Sequence, residues 1–152
     1  MQVYRIYIDR EGYSALGYGL AGARWNKAYT PVIYAASAVS LTMLENLSIR
    51  GAAVSDFRWK IAVLELDAEP QRIDLKGLPK DWDYRPHPRS TQELGSRWAL
   101  KKESLVLAVP SARIPLNYFE QEYNVLINPF HPDFLKKIKV LSEEEIPFAI
   151  NA

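Results

Sequence analysis

Short runs rich in β-branched and aromatic residues recur along this chain, and they outnumber its helical stretches. "VYRIYI" (residues 3–8), "PVIY" (31–34), "WKIAVLEL" (59–66), "SLVLAVPS" (104–111) and "NVLINP" (124–129) each read as a strand. In the third, Ala62, Leu64 and Leu66 share one face. "IKVL" and "IPFAI" near the C-terminus suggest further short strands. Only two stretches have helical character: "SAVSLTMLENLSIRG", with Ser37 as N-cap and Gly51 as stop, and "STQELGSRWALKKE". The second opens with Ser90 and Glu93 in capping-box spacing. Strands and helices do not alternate, so the pattern predicts an α+β fold rather than a regular βαβ winding. A length of 152 residues predicts a single domain, residues 1–152.

The function classes narrow by elimination. Lys and Arg number 19 against 18 acids, a formal charge of +1, which argues against direct nucleic-acid binding through a broad basic face. The same balance, with two histidines flanked by proline, fits a nuclease poorly. With no cysteine, disulfides and thiolate zinc sites are excluded. His87 and His131 alone could supply imidazole, so no metal is expected. The N-terminus lacks the apolar stretch and cleavage site of a signal peptide, and no apolar run approaches the roughly 20 residues of a membrane span. A cytoplasmic protein is expected.

Two stretches bear on chemistry. "GYGLAG" (17–22) matches the dinucleotide fingerprint GxGxxG, but that fingerprint needs a strand directly before it and a helix directly after. Pro31 interrupts the segment after it, so a tightly turning loop is the better expectation. The first helix is apolar almost all the way round, which predicts that it is buried. It carries Glu45, whose neighbours three and four positions away are Leu41, Thr42, Ser48 and Ile49. None is a cation, so Glu45 either lies at an exposed helix edge or faces a group distant in sequence. Candidates for that company sit at strand ends and in turns: Arg24, Tyr34, Ser111, Asn124 and Asn128. Each has a plain alternative, a surface salt bridge for Arg24, core packing for Tyr34, and turn capping for Ser111 and the asparagines.

Taken together, "VYRI", "GARWN", "VIYAA", "LTMLEN", "LPKDWDYRP", "STQELGSRW", "LAVPSARIP" and "EYNVLINPFHPDF" resemble, in order, the RES-domain family. That family is named for an arginine, a glutamate and a serine, and its members are the toxin halves of RES–Xre toxin–antitoxin pairs. The resemblance implies a fold like that of ADP-ribosyltransferase toxins, NAD as substrate and an Xre-type antitoxin as partner. It places the family's arginine at Arg24, its tyrosine at Tyr34, its glutamate at Glu45 and its serine at Ser111, with Asn124 in the late motif and Trp25 walling the pocket. Glu45, Arg24 and Tyr34 would then be catalytic, and Arg24, Tyr34, Ser111, Asn124 and Trp25 would bind NAD. The acceptor stays open between water, inorganic phosphate and a protein side chain. A non-catalytic interaction domain is the rival of another class. The chain departs from the family at two places, Ala23 before the arginine and Tyr29 after "RWN", where glycines are usual.

Overall fold

The computed structural model describes residues 1–148. Seven strands form one sheet: β1 (Gln2–Ile8), β2 (Ile33–Ala36), β3 (Trp59–Leu66), β4 (Gln71–Arg72), β5 (Val106–Val109), β6 (Asn124–Ile127) and β7 (Ile138–Ile146). Their order is β4-β5-β6-β2-β1-β3-β7, antiparallel throughout except for the β4–β5 pair. Helices α1 (Val39–Arg50), α2 (Arg89–Lys101) and α3 (Phe134–Lys137) lie between strands without regular alternation, an α+β arrangement. No helix among the described residues is long and apolar enough to cross a membrane.

The short central strands are buried on both faces, which is why they read as near-continuous apolar runs. Ile33, Ala35, Val106, Val125 and Ile127 join Val3, Ala62, Leu64 and Leu66 in one core. The alternate residues Leu107, Val109 and Leu126 pack on the opposite face with Trp25, Val32, Trp98 and Ala99, and Tyr34 packs against that second core. Register then fixes the side chains that matter. Tyr34 lies opposite Leu126, and Asn124 lies opposite Ala36 on one side and Val109 on the other. Directly opposite residues share a face, so Tyr34 and Asn124 project from the same side of the sheet as the Trp25–Trp98 core.

Several expectations change. β2 starts two residues after Pro31, so Tyr34 is its second residue rather than its end. β7 runs on through Ser142 and the three glutamates, because pairing with β3 continues past a register shift at Val63/Leu64. Charge along an outer strand also disfavours pairing with another chain's edge. The expected "IPFAI" strand is not separate: Ile146 ends β7, Pro147 and Phe148 are not in a strand, and the remainder lies outside the described residues.

Neither predicted cap forms. Ala38 is the N-cap of α1, because the Ser37 hydroxyl is used across the sheet end, accepting from the Tyr123 N–H at 2.9 Å. α2 begins at Arg89, one residue early; Ser90 donates to Asp81 at 2.6 Å and Glu93 accepts from Arg89 at 2.9 Å. Nor is α1 buried: Leu41 is its one buried residue, and Ile49 is 64% exposed. Val39 and Leu44 are also exposed, and Thr42, Glu45 and Ile49 help to line a cavity beside the helix.

Candidate functional site

"ARWN" forms a tight turn closed by the Ala23 N–H donating to the Asn26 carbonyl at 3.0 Å. Helix α2 grips this turn along its length. The Thr91 hydroxyl donates to the Arg24 carbonyl at 2.6 Å, the Gln92 amide to the Ala23 carbonyl at 3.0 Å, and the Lys27 N–H to the Ser96 hydroxyl at 2.9 Å. The fit depends on Gly95, where a Cβ would stand 1.8 Å from the Trp25 carbonyl oxygen. From below, the Tyr34 hydroxyl accepts from the Trp25 N–H at 3.2 Å and donates to Asn26 Oδ1 at 2.5 Å. Burial pushes the Tyr34 phenol well above its ordinary value, so it stays neutral.

Beyond this turn, "GYGLAG" is irregular chain with no helix following it, as expected of a loop. Tyr29 adopts φ 68°, a left-handed conformation in which the family's usual glycine would be unstrained.

The cavity has a volume of about 240 Å³ and lies between this turn, β2, α1 and the loop before α2. Arg24, Trp25, Tyr34, Glu45 and Asn124 all border it. Glu45, half-buried, accepts from the Ser111 hydroxyl and from the Asn124 amide, both through Oε1, the amide at 2.9 Å. Ser111 is buried and accepts in turn from the Arg113 N–H at 3.0 Å. Glu45 therefore has partners 66 and 79 residues away, and both are neutral donors.

Arg24 is 8% exposed, and its Nη1 donates to the Trp82 and Tyr84 carbonyls at 2.6 and 3.0 Å. Burial, then the Arg113 and Arg85 charges, lowers its pKa from the usual value, while Glu45 and Asp83 act in the opposite sense. Trp25 borders the cavity and is 2% exposed, packed among Val32, Trp98, Leu107, Val109 and Leu126. Asn128 lies apart from the cavity, bonded to the Ala99 carbonyl and the Phe130 N–H, which is turn capping.

The sequence reading passed over three cationic or titratable walls: Arg85, His87 and Arg113. Arg85 and His87 sit in "YRPHPRS", a proline-rich stretch that reads as surface loop; its Tyr84 carbonyl, with the Trp82 carbonyl just before it, fastens Arg24. Burial, followed by the Arg24, Arg85 and Arg113 charges, lowers the pKa of His87 from its ordinary value, with Glu45 partly opposing. Arg113 could have been suspected from its position two residues after Ser111.

Comparison with known proteins identifies the family. The RES domain profile matches residues 2–150. The chain is 34% identical to the protein named Toxin Res from Photorhabdus laumondii, over 100% of this chain and 96% of that one. It is 33% identical to the Prs ADP-ribosylating toxin of a Sphingobium species, over 86% and 83%. The crystal structure of the M. tuberculosis MbcT–MbcA toxin–antitoxin complex contains a chain that superposes with a TM-score of 0.71 at 17% identity, covering 95% of this chain and 83% of that chain. That likeness establishes a shared fold at an identity too low to carry more. With the profile spanning nearly its whole length, this chain belongs to the RES-domain family.

Proposed function

We propose that the cavity binds NAD and breaks its nicotinamide–ribose bond, and that the chain is a toxin restrained by a cognate Xre-type antitoxin. The observation that carries this reading is the Glu45 carboxylate, held by Ser111 and Asn124 in the cavity that Arg24 also lines. When the bond between ribose C1′ and the pyridinium nitrogen breaks, the electron pair leaves with neutral nicotinamide and the ribose gains oxocarbenium character. No proton need be delivered to the leaving group. The step instead gains from an anion placed beside the sugar, as in glycoside cleavage. A single preorganised group aimed at developing charge is worth roughly 3–4 kcal/mol, or about 10²–10³ in rate. Glu45 fills that role with Ser111 holding its carboxylate, Tyr34 offers its ring to the nicotinamide, and Arg24 and Asn124 orient the rest.

The acceptor then attacks C1′. Phosphate gives ADP-ribose 1″-phosphate, and water gives ADP-ribose with release of a proton. Transfer to a protein side chain is a second reading, favoured by the name of the Sphingobium relative. Purified protein incubated with NAD separates these outcomes. Nicotinamide release that rises with inorganic phosphate supports phosphorolysis, and phosphate-independent free ADP-ribose supports hydrolysis. Label from adenine-labelled NAD retained on a protein target supports transfer. No nicotinamide from the parent under any of these conditions would leave a non-catalytic interaction domain. An antitoxin partner is supported by the likeness to a chain of a toxin–antitoxin complex, and action on NAD would be consistent with a cytoplasmic site of action. Growth arrest on expression, relieved by the neighbouring antitoxin gene and absent in Glu45→Gln, is the expected result.

A further inference from the structure

The cavity holds more positive charge than one carboxylate can balance. Arg24, Arg85 and Arg113 line it, with Glu45 as the acid in the lining and Asp83 acting on Arg24 from outside it, so positive charge is in excess at the cavity wall. His87 does not alter that excess near neutral pH, because burial and the same three guanidinium groups favour its neutral form. Arg24 is also partly spent: its Nη1 is committed to the Trp82 and Tyr84 carbonyls. Arg85 and Arg113 differ, since among the described residues no hydrogen bond or ion pair is found for either guanidinium, and both are at least partly open to solvent.

Their positions are set by the site itself. Arg85 comes directly after Tyr84, whose carbonyl is bonded to Arg24. Arg113 is tied through its N–H to the Ser111 hydroxyl, which donates to Glu45. The two arginines thus approach the cavity from different segments, each anchored to one of the groups in the proposed reaction. Planar guanidinium forks of this kind match the paired oxygens of phosphate groups.

We propose that Arg85 and Arg113 form, beside the tethered Arg24, a clamp for a diphosphate ester, namely the dianionic link between the two nucleotides of the dinucleotide substrate. This rests on the NAD reading of the cavity and assigns the gripping of the anion to residues other than Arg24. The two negative charges of a diphosphate diester complement the excess of positive charge in the cavity lining. Its arrival also fixes direction, with the reacting ribose toward Glu45 and the adenosine half toward the open rim.

Inorganic pyrophosphate is the probe, titrated calorimetrically into the parent, Arg85→Met, Arg113→Met and the double variant at low and high salt. Thermal melting confirms that each variant folds. The parent should bind, with affinity falling as salt rises. Each single substitution should weaken binding about tenfold and the double about a hundredfold, or ~1.4 and ~2.8 kcal/mol. Arg113→Lys should recover part of the loss, since charge returns without the fork. Equal affinity in the parent and double variant, or no binding by the parent, overturns the clamp. Nicotinamide release is measured on the same proteins, with Glu45→Gln expected to bind pyrophosphate at least as tightly as the parent, since an anion leaves the cavity, and to release nicotinamide about 10²–10³-fold more slowly. A parent that binds pyrophosphate through these arginines yet leaves NAD intact would sink the catalytic reading and leave the anion site standing.

Discussion

Replacing Gly95 by alanine sets two effects of opposite sign against each other. By helix propensity alone the change should stabilise α2 by about 1 kcal/mol. The new Cβ, however, would lie 1.8 Å from the Trp25 carbonyl oxygen and 2.8 Å from its carbon. Since C···O contacts settle at roughly 3.3–3.6 Å, the helix and turn must separate by roughly 1.5 Å. Both parties are backbone, so no side chain can rotate out of the way. Overpacking of this kind costs about 1–3 kcal/mol. The same retreat would stretch the bonds from Thr91, Gln92 and Lys27, now at 2.6, 3.0 and 2.9 Å, beyond useful length. Each is worth about 0.5–1.5 kcal/mol. Against the propensity gain, the net loss is roughly 3 kcal/mol, or a melting point lower by about 6–12 °C at this size. Urea unfolding with an unchanged m-value is the assay. Gly19→Ala is the control, since its Cβ meets nothing within 4 Å, and it should change stability by less than about 1 kcal/mol. A Gly95→Ala protein as stable as the parent would refute the claim that α2 fixes the Arg24 turn by direct backbone contact.

Other outcomes turn on single side chains. Glu45→Gln keeps the shape and removes the charge, so NAD turnover should fall about 10²–10³-fold with the melting point little changed, read as released nicotinamide. Asn128→Ala removes the amide bond to the Ala99 carbonyl, which keeps the Lys102 N–H at 3.1 Å, and the bond from the part-buried Phe130 N–H, costing about 0.5–1.5 kcal/mol for each bond in urea unfolding without a specific effect on turnover. For His87, the folded pKa lies below the unfolded value of about 6.5. Between the two values the unfolded chain binds more protons, so this contribution to stability is present above pH ~6.5 and is lost as pH falls through the folded value. Imidazole NMR should give a midpoint below ~6.5 that rises in Arg113→Met; a midpoint unmoved by that substitution would count against charge coupling across the cavity.

The elements most legible in the sequence were those whose pattern is set by their own burial. β3 and β5 announced themselves because each is paired on both sides in the sheet, and β5 is packed on both faces as well. Helix ends were less legible, because Ser37 and Ser90 have the right chemistry for caps but are claimed by Tyr123 and Asp81, partners that only tertiary structure supplies. β4, two residues long, has no pattern to read. In the cavity, Glu45 stood out because its own helix offers it no cation, and its partners proved to be a hydroxyl and an amide from far along the chain. The place of Arg85 and His87 in the cavity wall escaped notice for the opposite reason. A loop of prolines and charges looks the same in sequence whether it faces solvent or closes a cavity, and only the Arg24 bonds to its carbonyls distinguish the two.

How Glu45 is held bears directly on the proposed chemistry. A carboxylate paired with a guanidinium has much of its field cancelled, and a cationic sugar arriving beside it would find a weaker anion. Ser111 and Asn124 hold the oxygen through neutral donors, and no ion pair to Glu45 is found among the described residues. Less of its field is therefore cancelled than in a direct guanidinium pair, although Arg24 still acts on it across the cavity. Arg24 is kept from collapsing onto Glu45 by the Trp82 and Tyr84 carbonyls, which hold its Nη1 in place. On this account the loop carbonyls preserve catalytic power by keeping two opposite charges apart. Shortening that loop between Trp82 and Arg85 should let Arg24 swing toward Glu45 and lower turnover even though every proposed catalytic side chain is retained. A loop-shortened variant that folds, keeps Arg24 and Glu45, and cleaves NAD at the parent rate would remove the reason for this arrangement.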